Sequence, residues 1–150
     1  MKKFKIANNV TGGIVFAAAA IVYLMTIEPT ASYWDCGEFI LSAFKLEVGH
    51  PPGAPLFMLL GNIFTNFSDV ANAAKMINAM SALSSALTIL FLFWTITHLT
   101  RRLLVKKDEK ISLSQTILIL GSGLAGSLAY TFSDTFWFSA VEGEVYAMSS

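Results

Sequence analysis

Three stretches of the chain, 10–27, 76–99 and 111–133, contain no Asp, Glu, Lys or Arg. Each is long enough to cross a hydrocarbon core of roughly 30 Å, which takes about 20 helical residues. Lipid offers no partner to backbone N–H and C=O groups, so a segment that crosses alone does so as a helix. These stretches predict an all-α membrane protein with three transmembrane helices. A fourth apolar run, 52–67, opens on Pro52-Gly53-Ala54-Pro55 and carries Asn62 inside it, and it reads as an interfacial or re-entrant helix. With 55% hydrophobic and 13% charged residues and a mean hydropathy of +0.62, the chain is too apolar for an ordinary soluble domain.

Charge placement predicts the topology. Lys2, Lys3 and Lys5 precede the first span, and Arg101, Arg102, Lys106, Lys107 and Lys110 lie between the other two, so eight of the ten basic residues occupy two short segments. The positive-inside rule puts both in the cytoplasm. With three spans they fall on the same side; if 52–67 also crossed, they would fall on opposite sides. The N-terminus and the 100–110 loop are thus expected to be cytoplasmic, and 28–75 external. Ten acidic residues balance ten basic ones, which implies no nucleic-acid partner.

A cleaved signal peptide is the rival account of the start, given Met1-Lys2-Lys3 and the small residues Ala17–Ala20. Apolar residues continue to Ile27, past the usual length of such a core, which favours a retained span. Cys36 is the only cysteine, so neither an internal disulfide nor a thiolate metal cluster is possible within the chain. Gly121, Gly123, Gly126 and Ser127 on the third span, and Asn78, Ser81, Ala82 and Ser85 on the second, form small-residue faces suited to close helix approach in lipid. The last residues, Ala147-Met148-Ser149-Ser150, carry no polar tail, as expected of the N-terminal part of a longer polytopic chain.

The 28–75 segment is the most specific. Ser32 is a candidate N-cap for a helix from Trp34 to Glu47, with Gly49 as terminator. Helical spacing puts Asp35, Glu38, Ser42 and Lys45 on one polar stripe, with Phe39, Ile40, Ala43, Phe44 and Leu46 elsewhere, the pattern of an amphipathic helix lying on the membrane surface. The acids have two readings. Ser32-x-x-Asp35 fits a capping box, and an acid in a first turn is favoured by the helix dipole. Alternatively, they are carboxylates held for chemistry near a membrane. His50-Pro51-Pro52-Gly53 then stiffens the backbone and opens a second helix. His50 is a loop histidine, a donor to a ligand phosphate, or a proton carrier. With no second histidine nearby, a preformed metal site is not supported.

An acidic residue soon after the first span, an amphipathic juxtamembrane helix and a His-Pro-Pro start to the next resemble the first external loop of protein O-mannosyltransferases, members of the GT-C superfamily of membrane glycosyltransferases. The fuller string Tyr33-Trp34-Asp35-Cys36-Gly37-Glu38-Phe39, with Gly49-His50-Pro51-Pro52-Gly53-Ala54-Pro55-Leu56, is more similar still to a bacterial protein O-mannosyltransferase-like family with a distant vertebrate relative. Phe136-Trp137-Phe138-Ser139-Ala140-Val141-Glu142-Gly143-Glu144-Val145-Tyr146 resembles the next external motif of that family.

The resemblance implies an inverting transfer of a sugar, mannose in the family's name, from a polyprenyl-phosphate donor to a protein or glycan hydroxyl on the non-cytoplasmic face of a bacterial inner membrane. It implies a carboxylate base in the first external loop, carried over to Asp35. The Asp-Glu pair usual there is split here by Cys36 and Gly37, so Asp35 and Glu38 both stand as catalytic candidates. His50, Trp34, Glu142 and Glu144 are the substrate-binding candidates. The resemblance names no cofactor and leaves a divalent metal open. It also implies further spans beyond this chain, which would hold the acceptor-side half of a site and not act alone. A transporter or a non-catalytic assembly subunit is the alternative. A transporter would also use small-residue spans, acids and helices broken by Pro and Gly, but the spans hold no ionisable residue apart from His98; an assembly subunit leaves Asp35 and Glu38 beside His-Pro-Pro without a purpose.

Overall fold

The computed structural model describes residues 2–51, 53–106 and 110–146. The helices are α1 (Lys2–Met25), α2 (Cys36–Lys45), α3 (Pro55–Thr65), α4 (Ala73–Leu104), α5 (Leu113–Thr131) and α6 (Asp134–Ala140), with a 3-10 turn at Val70–Asn72 leading into α4. There is no strand among the described residues. Three helical segments are long and apolar enough to cross a membrane: Lys2–Met25, Val70–Leu104 and Leu113–Thr131. The protein is an all-helical integral membrane protein with the three expected spans. The 52–67 run forms only the 11-residue α3, too short to cross.

Two compact units are distinguished: Met1–Ala19 with Ala86–Ser133, and Ala20–Ser85 with Asp134–Ser150. In the first, α5 begins in a capping box in which the Gln115 N–H donates to the Ser112 hydroxyl (3.2 Å) and the Ser112 N–H to the Gln115 side chain (2.8 Å). Gly123 and Ser127 are buried. A Cβ built on Gly123 would lie 2.5 Å from Thr97 Cγ2 and 2.8 Å from Phe93 Cε2, so α5 touches α4 through a bare backbone. The same test on Gly126 meets Ile96 at 2.6 Å, whereas Gly121 faces open space.

Gly123→Ala is accordingly expected to lower stability by about 1–3 kcal/mol through overpacking, with Gly123→Leu worse. Gly121→Leu should be near neutral. Thermal unfolding in detergent reads the difference, and equal melting of the Gly123 and Gly121 variants would show that this face carries no contact.

The second unit is built on a core of Cys36, Phe39, Ile40 and Ala43 from α2, Phe57 and Met58 from α3, and Ile77 and Met80 from α4. Part of the apolar side of α2 is thus covered by protein, while Leu41 and Leu46 stay exposed. Its polar stripe is also narrower than expected, since Ser42 is buried while Asp35, Glu38 and Lys45 remain exposed. The expected small face of α4 holds, with Asn78, Ser81, Ala82 and Ser85 all buried.

Both ends of α2 differ from expectation. The helix starts at Cys36, Asp35 occupies its N-cap position without a side-chain cap bond, and Ser32 makes no cap. It stops not at Gly49 but at Leu46, whose backbone is left-handed (φ 55°). There the Leu46 N–H reaches Ala43 O (3.2 Å) and the Glu47 N–H reaches Ser42 O (2.8 Å), the Schellman pair. Asn62 on α3 donates to the carbonyls of Ala43 (3.1 Å) and Phe44 (2.9 Å), so further carbonyls of the helix end are satisfied from across the contact. The second helix opens on Pro55 and not at the diproline. His50 to Gly53 is instead a turn closed by the Gly53 N–H on His50 O (2.9 Å), with Gly53 at φ 68°. Pro52 itself lies outside the described residues.

Candidate active site

The turn after α2 brings His50 back over the helix start. Its backbone N–H donates to Glu38 Oε1 (2.7 Å), its Nδ1 lies 3.1 Å from the same oxygen, and its Nε2 lies 3.9 Å from Asp35 Oδ2. The buried Phe39 ring is 5.6 Å from the imidazole. The two acids are therefore not equivalent. Glu38 is committed to His50, whose backbone N–H first and imidazole second hold its carboxyl below the usual carboxylate range. Asp35 is exposed, caps nothing, and meets His50 only at ion-pair distance. A neutral imidazole donating from Nδ1 to Glu38 leaves Nε2 as a bare acceptor, while an imidazolium donates to Glu38 and faces Asp35 at ion-pair distance.

The 136–146 motif closes on the same unit. The Ser32 hydroxyl donates to Glu142, which is 3% exposed, and the Glu28 N–H donates to Val141 O (3.0 Å). Burial first, then the charges of Glu144 and Glu28, push the Glu142 carboxyl up to about 7. Glu144 is also raised, by burial and then by the charge of Asp35. Cys36 is fully buried, and burial raises its thiol too, against hydrogen bonds from the Ser32 and Gly143 backbones. Beside Glu142 opens a cleft of about 450 Å³ lined by Glu28, Ser32, Tyr33, Phe138 and Glu142, among others. In the same unit the Trp137 indole N–H donates to the Thr26 hydroxyl (3.0 Å).

Residues 35–150 match the sequence profile of the family described as "Protein O-mannosyl-transferase TMEM260 N-terminal domain". The chain belongs to this family. It is 32% identical to "Protein O-mannosyl-transferase tmem260" of Dictyostelium discoideum over 152 residues, 100% of this chain and 16% of that protein. It is 29% identical to "Protein O-mannosyl-transferase TMEM260" of Mus musculus over 139 residues, 91% of this chain and 17% of that one. The chain thus spans about a sixth of the length of these curated relatives. No solved structure matches it.

Within this TMEM260-family chain, all six candidates from the sequence lie in one unit. Asp35, Glu38 and His50 form one contact group, and Glu144 feels the charge of Asp35. Trp34 is 90% exposed at φ 60°, a left-handed backbone that is costly for a bulky residue. Glu142 is the exception, buried on Ser32 instead of standing open. Among the described residues no three His, Cys, Asp or Glu side chains are grouped so as to hold a metal ion. Sequence reasoning missed Glu28 as a wall of the cleft and Ser32 as the partner of Glu142. A helix-cap pattern accounted for Ser32 too readily, and no local signal links it to a residue 110 positions away.

Proposed function

We propose that this chain carries the acceptor side of the active site of a GT-C-type inverting glycosyltransferase. In this reading a sugar, mannose on the family resemblance, moves from a polyprenyl-phosphate donor to a protein or glycan hydroxyl on the non-cytoplasmic face. The membrane is a bacterial inner membrane by the same resemblance, with the N-terminus cytoplasmic. The observation that carries the reading is the His50 bridge, which occupies Glu38 and leaves Asp35 an exposed, uncapped carboxylate on a rigid helix start. Asp35 is the general base: it takes the proton of the acceptor hydroxyl as that oxygen attacks the anomeric carbon and the donor phosphate leaves with the bonding electrons. Glu38 positions His50, whose Nε2 side faces the same space. The exposed Trp34 ring offers a stacking face for a sugar or an acceptor side chain. Glu142 and Glu144 line the acceptor approach, Glu142 through its neutral, hydrogen-bonded form. The names borne by the relatives support transferase chemistry, and a transporter reading finds no ionisable pathway in the spans.

The reading requires this unit to face outward. In a Cys36→Ala background, a cysteine at Asp69 should react with an impermeant thiol reagent added outside intact cells, and one at Lys110 should not. Labelling at 110 with protection at 69 would place the acids on the cytoplasmic side and end the proposal. Its chemistry is tested by sugar transfer from polyprenyl-phosphate mannose by the full-length protein and its Asp35 and Glu38 variants.

A further inference from the structure

A second cavity lies in the other unit, where the start of α1 meets the end of α4. It encloses about 380 Å³ and is lined by Phe4, Lys5, Asn8, Asn9, Trp94, Thr97, His98 and Arg101. Three of these residues are basic or can become cationic, three more are polar, and none is acidic. The Arg101 guanidinium sits 5.8 Å above the Phe4 ring, which holds it at the cavity. Two polar atoms in the wall, the donor Trp94 Nε1 and the acceptor Asn8 Oδ1, are buried without a hydrogen-bond partner. Both are sealed within the wall, Trp94 Nε1 against the backbone at Gly12, so the accessible polar groups of the cavity are its basic side chains and the asparagines.

Depth narrows the choice. At 1.5 Å per residue, the 24 residues of α1 measure about 36 Å and the 32 of α4 about 48 Å, both longer than a hydrocarbon core of roughly 30 Å. The cavity reaches from Lys5 and Arg101, outside the apolar stretches, to Trp94, Thr97 and His98 at the end of one, so its basic rim lies at headgroup level. Basic pockets between membrane helices at that level suit lipid phosphates.

We infer that this cavity is a binding site for a phosphate group flanked by hydroxyls, the chemistry of an anionic glycerophospholipid headgroup or of a free phosphate. Lys5 and Arg101 neutralise the phosphate, and His98 with the Asn9 side chain offers hydrogen bonds to it and to a neighbouring hydroxyl. The site is separate from the transfer chemistry and stands whether or not that reading holds.

The test is native mass spectrometry of the purified full-length protein taken from nanodiscs of phosphatidylcholine with phosphatidylglycerol, together with binding of inorganic phosphate in detergent. The expected result is selective retention of phosphatidylglycerol. Affinity should fall about fivefold for Lys5→Gln or Arg101→Gln and about 25-fold for the pair, at ~1 kcal/mol for each basic residue at the surface. Lys2→Gln and Arg102→Gln, basic residues of the same segments that do not line the cavity, should leave retention unchanged. If Arg101→Gln yields no folded protein, Lys5→Gln combined with His98→Gln carries the same expectation. Lipid that persists in excess inorganic phosphate identifies the lipid as the ligand. Saturable phosphate binding, lost in the same variants and without lipid retention, identifies free phosphate. Equal loss in the Lys2 and Arg102 controls, or no binding of either probe, would overturn the site.

Discussion

Asp35→Asn should lower sugar transfer by the full-length protein by about 10²–10⁴ while leaving its folding intact. The amide keeps the size of the carboxylate and most of its hydrogen bonding, but it cannot take the acceptor proton. The structure sharpens this expectation, because the competing account of Asp35 as a helix cap fails: its side chain makes no cap bond. Thermal stability should therefore hold. Glu38→Gln should fall between wild type and Asp35→Asn. It keeps an oxygen for the His50 N–H but loses the charge that orients the imidazole. Normal transfer by Asp35→Asn with Glu38→Gln inactive would make Glu38 the base. Normal transfer by both would remove catalysis from this helix.

Glu142→Gln should weaken a pH dependence of stability present in the wild type, leaving the smaller part that the raised Glu144 contributes. The carboxyl is raised from 4.5 to about 7 in the folded state, so between these values the folded chain binds more protons than the unfolded one. Stability from this group is fully present below about pH 4.5, declines as pH rises, and is gone above about 7. The shift corresponds to about 3 kcal/mol. The wild type should thus melt at lower temperature at pH 8 than at pH 5. A glutamine, neutral throughout and still able to accept from Ser32, should reduce that difference and be the more stable protein at pH 8. Parallel melting curves for both proteins across this range would contradict a buried, protonated Glu142.

What could be read from the residues and what could not follows from the range of the interactions. The three spans were legible because apolar length is a local property, and lipid leaves the backbone no alternative to a helix. Asp35, Glu38 and His50 were legible as a group because they fall within 16 consecutive positions of the chain. The ends of α2 were not. Leu46 in a left-handed conformation replaces the glycine that propensity favours, since its cost is met by the two Schellman bonds and by Asn62 from α3. Asn62 looked like a polar flaw in an apolar run, and its purpose appears only once α3 is laid against α2. Ser32 and Glu142 show the same limit: a serine three residues before an acid reads as a cap until the distant carboxylate that claims its hydroxyl is in place.

The Asn78 side chain donates to the carbonyls of Glu28 (2.7 Å) and Thr30 (2.9 Å), and the Glu28 N–H is bound to Val141. The loop leaving α1 is therefore pinned on one side to α4 and on the other to the 136–146 motif. Peeling away either loop alone would orphan several buried polar groups at about 1–3 kcal/mol each. The two acidic motifs are consequently coupled, so a substitution that loosens one is expected to disturb the hydrogen bonds that hold the other.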